Sequence, residues 1–212
     1  QLGFKVWMDQ SIILEHMGWY PFTVADLNRN DESPLPSTGT DLVEVAGAHR
    51  ETGEPLIDGL VTEIAEWAGE NEGDVRRMLP LGQAKLADLW ASMPDSQTET
   101  EWYQREDVGL AYVSDLAWWH MNGGCPLQLT EGLTGRVLDF GAGIGTFALA
   151  AARTADVTAV ETNLTMREFI AHRSLGTALT VVPSLDYVPG GQFDTIIAWH
   201  VFEHLPNPVQ VL

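Results

Sequence analysis

The amino-acid sequence predicts an α/β protein in which a mostly α-helical module precedes a doubly wound parallel sheet. Three observations carry that prediction. From Arg136 onward, short β-branched runs alternate with helical segments. A glycine-rich turn, Gly141 to Gly145, separates the first of these runs from the helix after it. Between residues 55 and 130, apolar residues recur instead at the helical period of about 3.6.

Composition narrows the function classes. The chain has 212 residues with 30 acidic and 11 basic side chains, a net charge of −19, which fits one domain or two small ones. Such a chain repels phosphate backbones, and its bases are scattered, with Arg76-Arg77 the only adjacent pair. Bulk nucleic-acid binding is therefore not expected. A hydrophobic content of 45% with eight tryptophans is enough for a packed core. The single cysteine, Cys125, can close no intrachain disulfide, which suits a reducing, cytoplasmic setting. No apolar run reaches the length of a membrane span and no signal-peptide pattern opens the chain, so no membrane role is expected. The start at Gln1 and the end at Leu212, inside an apolar run, lead us to expect a piece of a longer polypeptide.

Charge and composition divide the chain into four parts. Residues 1–130 hold 22 acids and 7 bases, residues 131–212 only 8 and 4. Residues 1–27 are strand-rich, and 28–54, full of Asn, Asp, Ser, Pro, Thr and Gly, read as an acidic linker. Residues 55–130 form the helical module. Ile57, Leu60, Val61, Ile64 and Trp67 share one face of a helix over Leu56–Gly69. A second helix, Glu72–Leu79, stops at Pro80, and a third, Gln83–Met93, is expected to bury Leu86, Leu89 and Trp90. Thr98 and Glu101 have capping-box spacing, and the helix they open runs to about His120 with a break expected near Gly109. Asn122-Gly123-Gly124 ends it.

Residues 131–212 make up the sheet domain. Its strands are expected at Val137–Phe140, Val157–Val160, Leu179–Val182 and Thr195–Trp199, with helices at Thr146–Arg153 and Leu164–Leu175. The turn reads GxGxG rather than the GxGxxG of dinucleotide sites, and Asp139 stands two residues before it. An acid beside a helix N-terminus opposes a pyrophosphate but suits a ligand with a cationic amino group. That weighs against a nicotinamide-dependent dehydrogenase. Glu161, at the end of the second strand, is placed to accept ribose hydroxyls.

VLDFGAGIGTF, VTAVETN, VVPSLDY and GGQFDTIIAWHVFEHLPNP, in that order over residues 133–212, resemble the class I S-adenosylmethionine-dependent methyltransferases. The resemblance implies a Rossmann-like class I methyltransferase sheet of order 3-2-1-4-5-7-6, here truncated after the fourth strand, which would be left uncovered on one side. It implies S-adenosyl-L-methionine as cofactor and methyl transfer to a small-molecule O, N or C nucleophile. By the same resemblance Asp139, Gly141, Gly143 and Gly145, with Phe140, Ala142 and Thr146 among them, hold the methionine moiety. Glu161 binds the ribose, Thr162 and Asn163 flank it, Ser184, Leu185 and Asp186 edge the adenine, and Trp199 and His200 line the pocket near the methyl group. The PSLD sequence departs from the Asp and small residue more usual in that third loop. The alternative function is a catalytically inactive cofactor-binding or interaction domain.

His200-x-x-Glu203-His204 also has the spacing of a helical zinc-protease motif, but Pro206 and Pro208 leave little helix to display it. Glu203-His204 matches an EH pair common in the methyltransferases. His200 stands where some relatives carry a metal-binding acid, and hard cations prefer oxygen, so no metal is expected. His200 and His204 are instead candidate general bases. Tyr103, Tyr112, Trp118 and Trp119 could form a lid, though core packing is their commoner fate. Residues 1–27 resemble the C-terminal end of GT-A glycosyltransferases, with His16 as a metal ligand. An ordinary β-hairpin is the other reading, and the resemblance implies a neighbouring glycosyltransferase domain in the same polypeptide.

Overall fold

The computed structural model describes residues 55–204 apart from 126, 189 and 191. The expectations for 1–27 with His16, for the linker 28–54, for the Glu203 side chain and for 205–212 lie outside the described residues.

Four parallel strands, β1 (Arg136–Phe140), β2 (Asp156–Val160), β3 (Leu179–Val182) and β4 (Thr195–Ile197), lie in the order β3-β2-β1-β4. That is the expected order as far as it goes. The register sets Asp139 between Ala159 on β2 and Ile197 on β4. Among the described residues β4 pairs only with β1, and Ile196 is 41% exposed. β4 ends two residues earlier than expected, because the chain leaves the sheet before Trp199. Helices α7 (Thr146–Ala151) and α8 (Leu164–Arg173) connect the first three strands. Ala148 and Ala151 of α7 pack with Val137, Val157 and Ala159 on one face of the sheet. Leu138, Val160 and Val182 cluster separately with Phe140 and Phe193.

The helical region consists of α1 (Pro55–Asp58), α2 (Leu60–Ala68), α3 (Glu72–Met78), α4 (Gly82–Ala91), α5 (Glu99–Tyr103) and α6 (Glu106–Trp119). Pro80 ends α3 in a short 3-10 turn, and a wide turn over His120–Gly124 ends α6. Three expectations are corrected. The first helix divides at Gly59. Trp90 is 40% exposed rather than buried. The break expected at Gly109 falls at Gln104-Arg105, and Gly109 lies inside α6. A side chain on Gly109 would collide with Asn163, so that glycine serves a close approach rather than a kink.

Leu60, Val61, Ile64, Val75, Leu79, Val113 and Ala117 form one buried cluster with Ile144, Met166 and Phe169. The helices thus share a core with the glycine turn and with α8. The change in charge near residue 130 does not coincide with a boundary in packing. No described helix is long and apolar enough to cross a membrane.

Candidate functional site

The site is built at the carboxyl ends of β1 and β2. Gly141, Gly143 and Gly145 have φ of +75°, +56° and +75°, a left-handed run that side chains rarely adopt. The turn is fixed by hydrogen bonds at almost every step. Gly141 and Ala142 both donate to the Val160 carbonyl at 2.9 Å, and Gly145 donates to Ala142 at 2.8 Å. Gly143 donates to Glu161 Oε2 at 2.8 Å.

Two buried carboxyls flank this turn. Glu161, 4% exposed, accepts from Gly143 through Oε2 and from Asn163 N–H through Oε1, the latter at 2.8 Å. Asp139, 2% exposed, accepts from the Ala148 N–H, but its Oδ2 is buried and has no partner. Burial pushes both acids up to about 7, and in Asp139 the negative charge of Glu161 adds to it. A buried acceptor left open beside a glycine turn is a recognition element for a donor.

The residues proposed around these acids divide into two groups. Thr162 and the short turn Leu185–Tyr187, with Ser184 and Asp186, are at least partly open at the carboxyl ends of β2 and β3. Ser184 Oγ lies 3.4 Å from Asp186 Oδ2. The side chains of Phe140, Thr146 and Asn163 are engaged within the fold. Phe140 packs in the sheet cluster. The buried Thr146 hydroxyl is bonded to His120 and Arg173. Asn163, fully buried, caps α8 through Met166 N–H at 3.2 Å and donates to the carbonyls of Tyr103 at 2.6 Å and Arg105 at 2.9 Å. Those carbonyls lie at the α5–α6 break, so one side chain explains why the chain bends there.

Past β4, Trp199 stacks obliquely against Phe147 at 5.9 Å, and its Nε1 is buried with no partner. His200 has φ +53°, a strained conformation for a residue with a side chain. Its exposed ring meets the rings of Trp119 at 5.1 Å and Trp199 at 5.4 Å edge-on. Val201 packs where a Gly141 side chain would lie. The following turn, Phe202–His204, brings His204 Nδ1 to 2.7 Å from the Tyr103 hydroxyl. It is one 3-10 turn and not the helix that a zinc-protease motif requires. Among the described residues no group of three or more His, Cys, Asp and Glu could hold a metal ion. Tyr103 also stacks on Tyr112 at 6.0 Å, and burial raises the Tyr112 phenol far above its usual range. Of the four aromatics weighed between lid and core packing, Tyr103 and Tyr112 pack into helical clusters, Trp118 is exposed, and Trp119 reaches His200.

A family model described as a methyltransferase domain matches residues 112–212. The match includes every residue of the glycine turn, both buried acids and the Trp199–His204 segment. Similar solved structures include magnesium protoporphyrin IX methyltransferase from Synechocystis PCC 6803 with bound SAM, 21% identical with a TM-score of 0.33 over 63% of this chain and 65% of that one. Another is coclaurine N-methyltransferase bound to N-methylheliamine and SAH, 17% identical with a TM-score of 0.29 over 68% of this chain and 52% of that one. The chain thus spans about two thirds and half of their lengths. No curated protein matches it.

The matched region also contains buried polar groups that local sequence patterns do not single out. Arg173 ends α8 as an ordinary helix-terminal cation would, and His120 lies in a run of aromatics. Only the N-cap position of Asn163, just before a helical run, carries a local signal.

Proposed function

We propose that this chain binds S-adenosyl-L-methionine and transfers its methyl group to a small-molecule O, N or C nucleophile. The observation that carries the reading is Asp139. Its Oδ2 is buried without a partner at the head of a left-handed glycine turn, a position that suits a ligand ammonium. Trp199 Nε1, a buried donor without a partner beyond the neighbouring strand, suits the carboxylate of the same amino-acid head. The donors and acceptors present therefore fit the group. Glu161 keeps a second lone pair on each oxygen for ribose hydroxyls.

When bound, the cofactor would supply an electrophilic methyl on a sulfonium, with the neutral thioether of S-adenosylhomocysteine as the leaving group. The chain's own part is orientation of the two reactants, with His200 and His204 as the groups available to take a proton from an acidic acceptor. The high negative charge favours a small acceptor over a nucleic acid.

Calorimetric titration with S-adenosylmethionine and S-adenosylhomocysteine tests the reading. Wild type is expected to bind both, and Glu161→Ala, with two buried N–H groups left unpaired, to bind about a hundredfold more weakly. Unchanged affinity in a variant that still melts cooperatively refutes the assignment. Binding without methyl transfer to any member of a small-molecule library would instead favour a non-catalytic cofactor-binding domain.

A further inference from the structure

One buried polar group beside the glycine turn has no part in the chemistry above. The Arg173 side chain has no exposed surface. It donates through Nε to Glu63 Oε2 at 2.7 Å, through Nη1 to the Ile144 carbonyl at 2.6 Å and Thr146 Oγ1 at 2.9 Å, and through Nη2 to the Leu56 carbonyl at 2.8 Å. One guanidinium thus joins α1, α2, the glycine turn and the first residue of α7. Thr146 Oγ1 lies 3.0 Å from Nδ1 of buried His120. Burial and the Arg173 charge hold His120 down at about 3, so it faces the network as a neutral partner.

What Arg173 holds in the turn is specific. Ile144 stands between Gly143 and Gly145, and its carbonyl belongs to the peptide whose N–H is that of Gly145. That N–H donates to Ala142 at 2.8 Å while the carbonyl accepts from Arg173. The peptide plane is therefore bonded at both ends and cannot rotate without losing one bond. The peptide ending at Gly143 N–H is held by Glu161 in the same way, at 2.8 Å. A buried carboxyl fixes one peptide of the turn and a buried guanidinium fixes the next but one. A lysine could not substitute for the cation, because the bonds to Ile144, Thr146, Leu56 and Glu63 need donors spread over a planar fork.

We propose that Arg173 is a positioning residue of the cofactor-binding turn and that Glu63, supplied by the helical region, completes it. The helical region then contributes to the binding site through Glu63 and the Leu56 carbonyl, and is not only a cover laid over it. This inference rests on the reading of the turn as the S-adenosylmethionine site. A purely structural Arg173 would need only Glu63 to neutralise it. The two bonds to Ile144 and Thr146 make the loop depend on it as well.

The test compares wild type, Arg173→Lys, Glu63→Gln and Val75→Ala in the full chain. Val75 is a buried residue of the helical cluster that makes none of these bonds. For each, S-adenosylhomocysteine affinity is measured by calorimetry, Tm by calorimetric melting, and amide hydrogen exchange is followed over residues 141–149. Arg173→Lys is expected to weaken binding about tenfold and Glu63→Gln about threefold, with faster exchange in the turn. Val75→Ala is expected to lower Tm while keeping affinity within about twofold of wild type. Wild-type affinity in Arg173→Lys overturns the inference, as does a loss that follows Tm on the same line as Val75→Ala. If Arg173→Lys does not fold, Glu63→Gln carries the same comparison. If wild type binds no S-adenosylhomocysteine, the proposed function fails, and the exchange data decide this inference separately: unchanged exchange over 141–149 in Arg173→Lys overturns it.

Discussion

Around α2, α3 and α6 the buried side chains are aliphatic: Leu60, Val61, Ile64, Val75, Leu79 and Val113 are all but inaccessible to water. At the carboxyl ends of β1 and β2 the equally buried residues are Asp139, Thr146, Glu161 and Asn163. The first region is buried at a gain of roughly 25 cal/mol per Å² of apolar surface. The second is buried at a cost unless every donor and acceptor finds a partner, and Asp139 Oδ2 does not. Folding alone does not explain why the second region is built this way. A ligand that completes the unpaired groups does. The two regions should therefore respond differently to substitution, one in stability and the other in binding.

The largest expected effect is on the apolar side. Leu60→Ala empties a fully buried site in the shared cluster and should cost about 2–5 kcal/mol of unfolding free energy in a urea titration. S-adenosylhomocysteine affinity below the melting range should stay at its wild-type value. A parallel fall in affinity would break the contrast between the regions.

The polar side should show itself through pH. The folded pKa values of Asp139 and Glu161 lie at about 7, above the ordinary carboxyl values of the unfolded chain. Stability from these groups is fully present below about pH 4 and is lost as pH rises through about 7, where the folded state must ionise them. Tm should therefore fall between pH 5 and 8. Asp139→Asn should flatten part of that fall and, having lost the charge that attracts an ammonium, weaken cofactor binding about tenfold. In wild type, affinity should rise over the same interval, since the bound cation favours the ionised carboxyl. Melting curves and titrations at matched pH check both signs. A rising Tm would show that these acids are better solvated than their burial implies.

How much of this was legible in the sequence follows the same division. The strand–helix alternation and the cluster of Leu60, Val61 and Ile64 depend on local periodicity, and periodicity survives into the fold, whereas the order of the first four strands came only with the resemblance to the methyltransferases. The positions of Asp139, the three turn glycines and Glu161 depend on motif spacing, which fixes backbone placement at strand ends. The partners of those residues were not legible. Arg173 reaches Glu63 across 110 positions and Asn163 reaches Tyr103 across 60, and no local pattern encodes contacts at that range. The motif places Asn163 beside the ribose because it closely follows Glu161, and nothing local shows that its side chain also caps α8 and bonds the carbonyls at the α5–α6 break. Trp90 shows the limit of periodicity itself. Its spacing put it with Leu86 on an inner face, but it lies edge-on against Trp102 at 5.0 Å and stays half open.

The smallest expected effect sharpens the comparison from the surface. Thr98 and Glu101 close the capping box legible in the sequence: Glu101 N–H donates to Thr98 Oγ1 at 3.2 Å, and Thr98 N–H donates to Glu101 Oε2 at 2.8 Å. Thr98→Ala removes the cap acceptor of α5 and should cost about 1 kcal/mol with no change in cofactor affinity. The bonds from Thr98 hold the Glu101 carboxyl below its usual range, the opposite of what burial does to Asp139 and Glu161. A depressed carboxyl contributes stability above its unfolded pKa and loses it as pH falls through the folded value. Glu101→Gln should therefore leave the melting curve between pH 5 and 8 parallel to that of wild type, and should differ in slope only in acid, below about pH 4.5. The same side-chain chemistry thus gives opposite pH dependence in the two places, because one carboxyl keeps its water and gains donors while the others lose water faster than donors replace it. A change in slope near neutrality on removing Glu101 would mean that the neutral-pH transition does not belong to the buried pair.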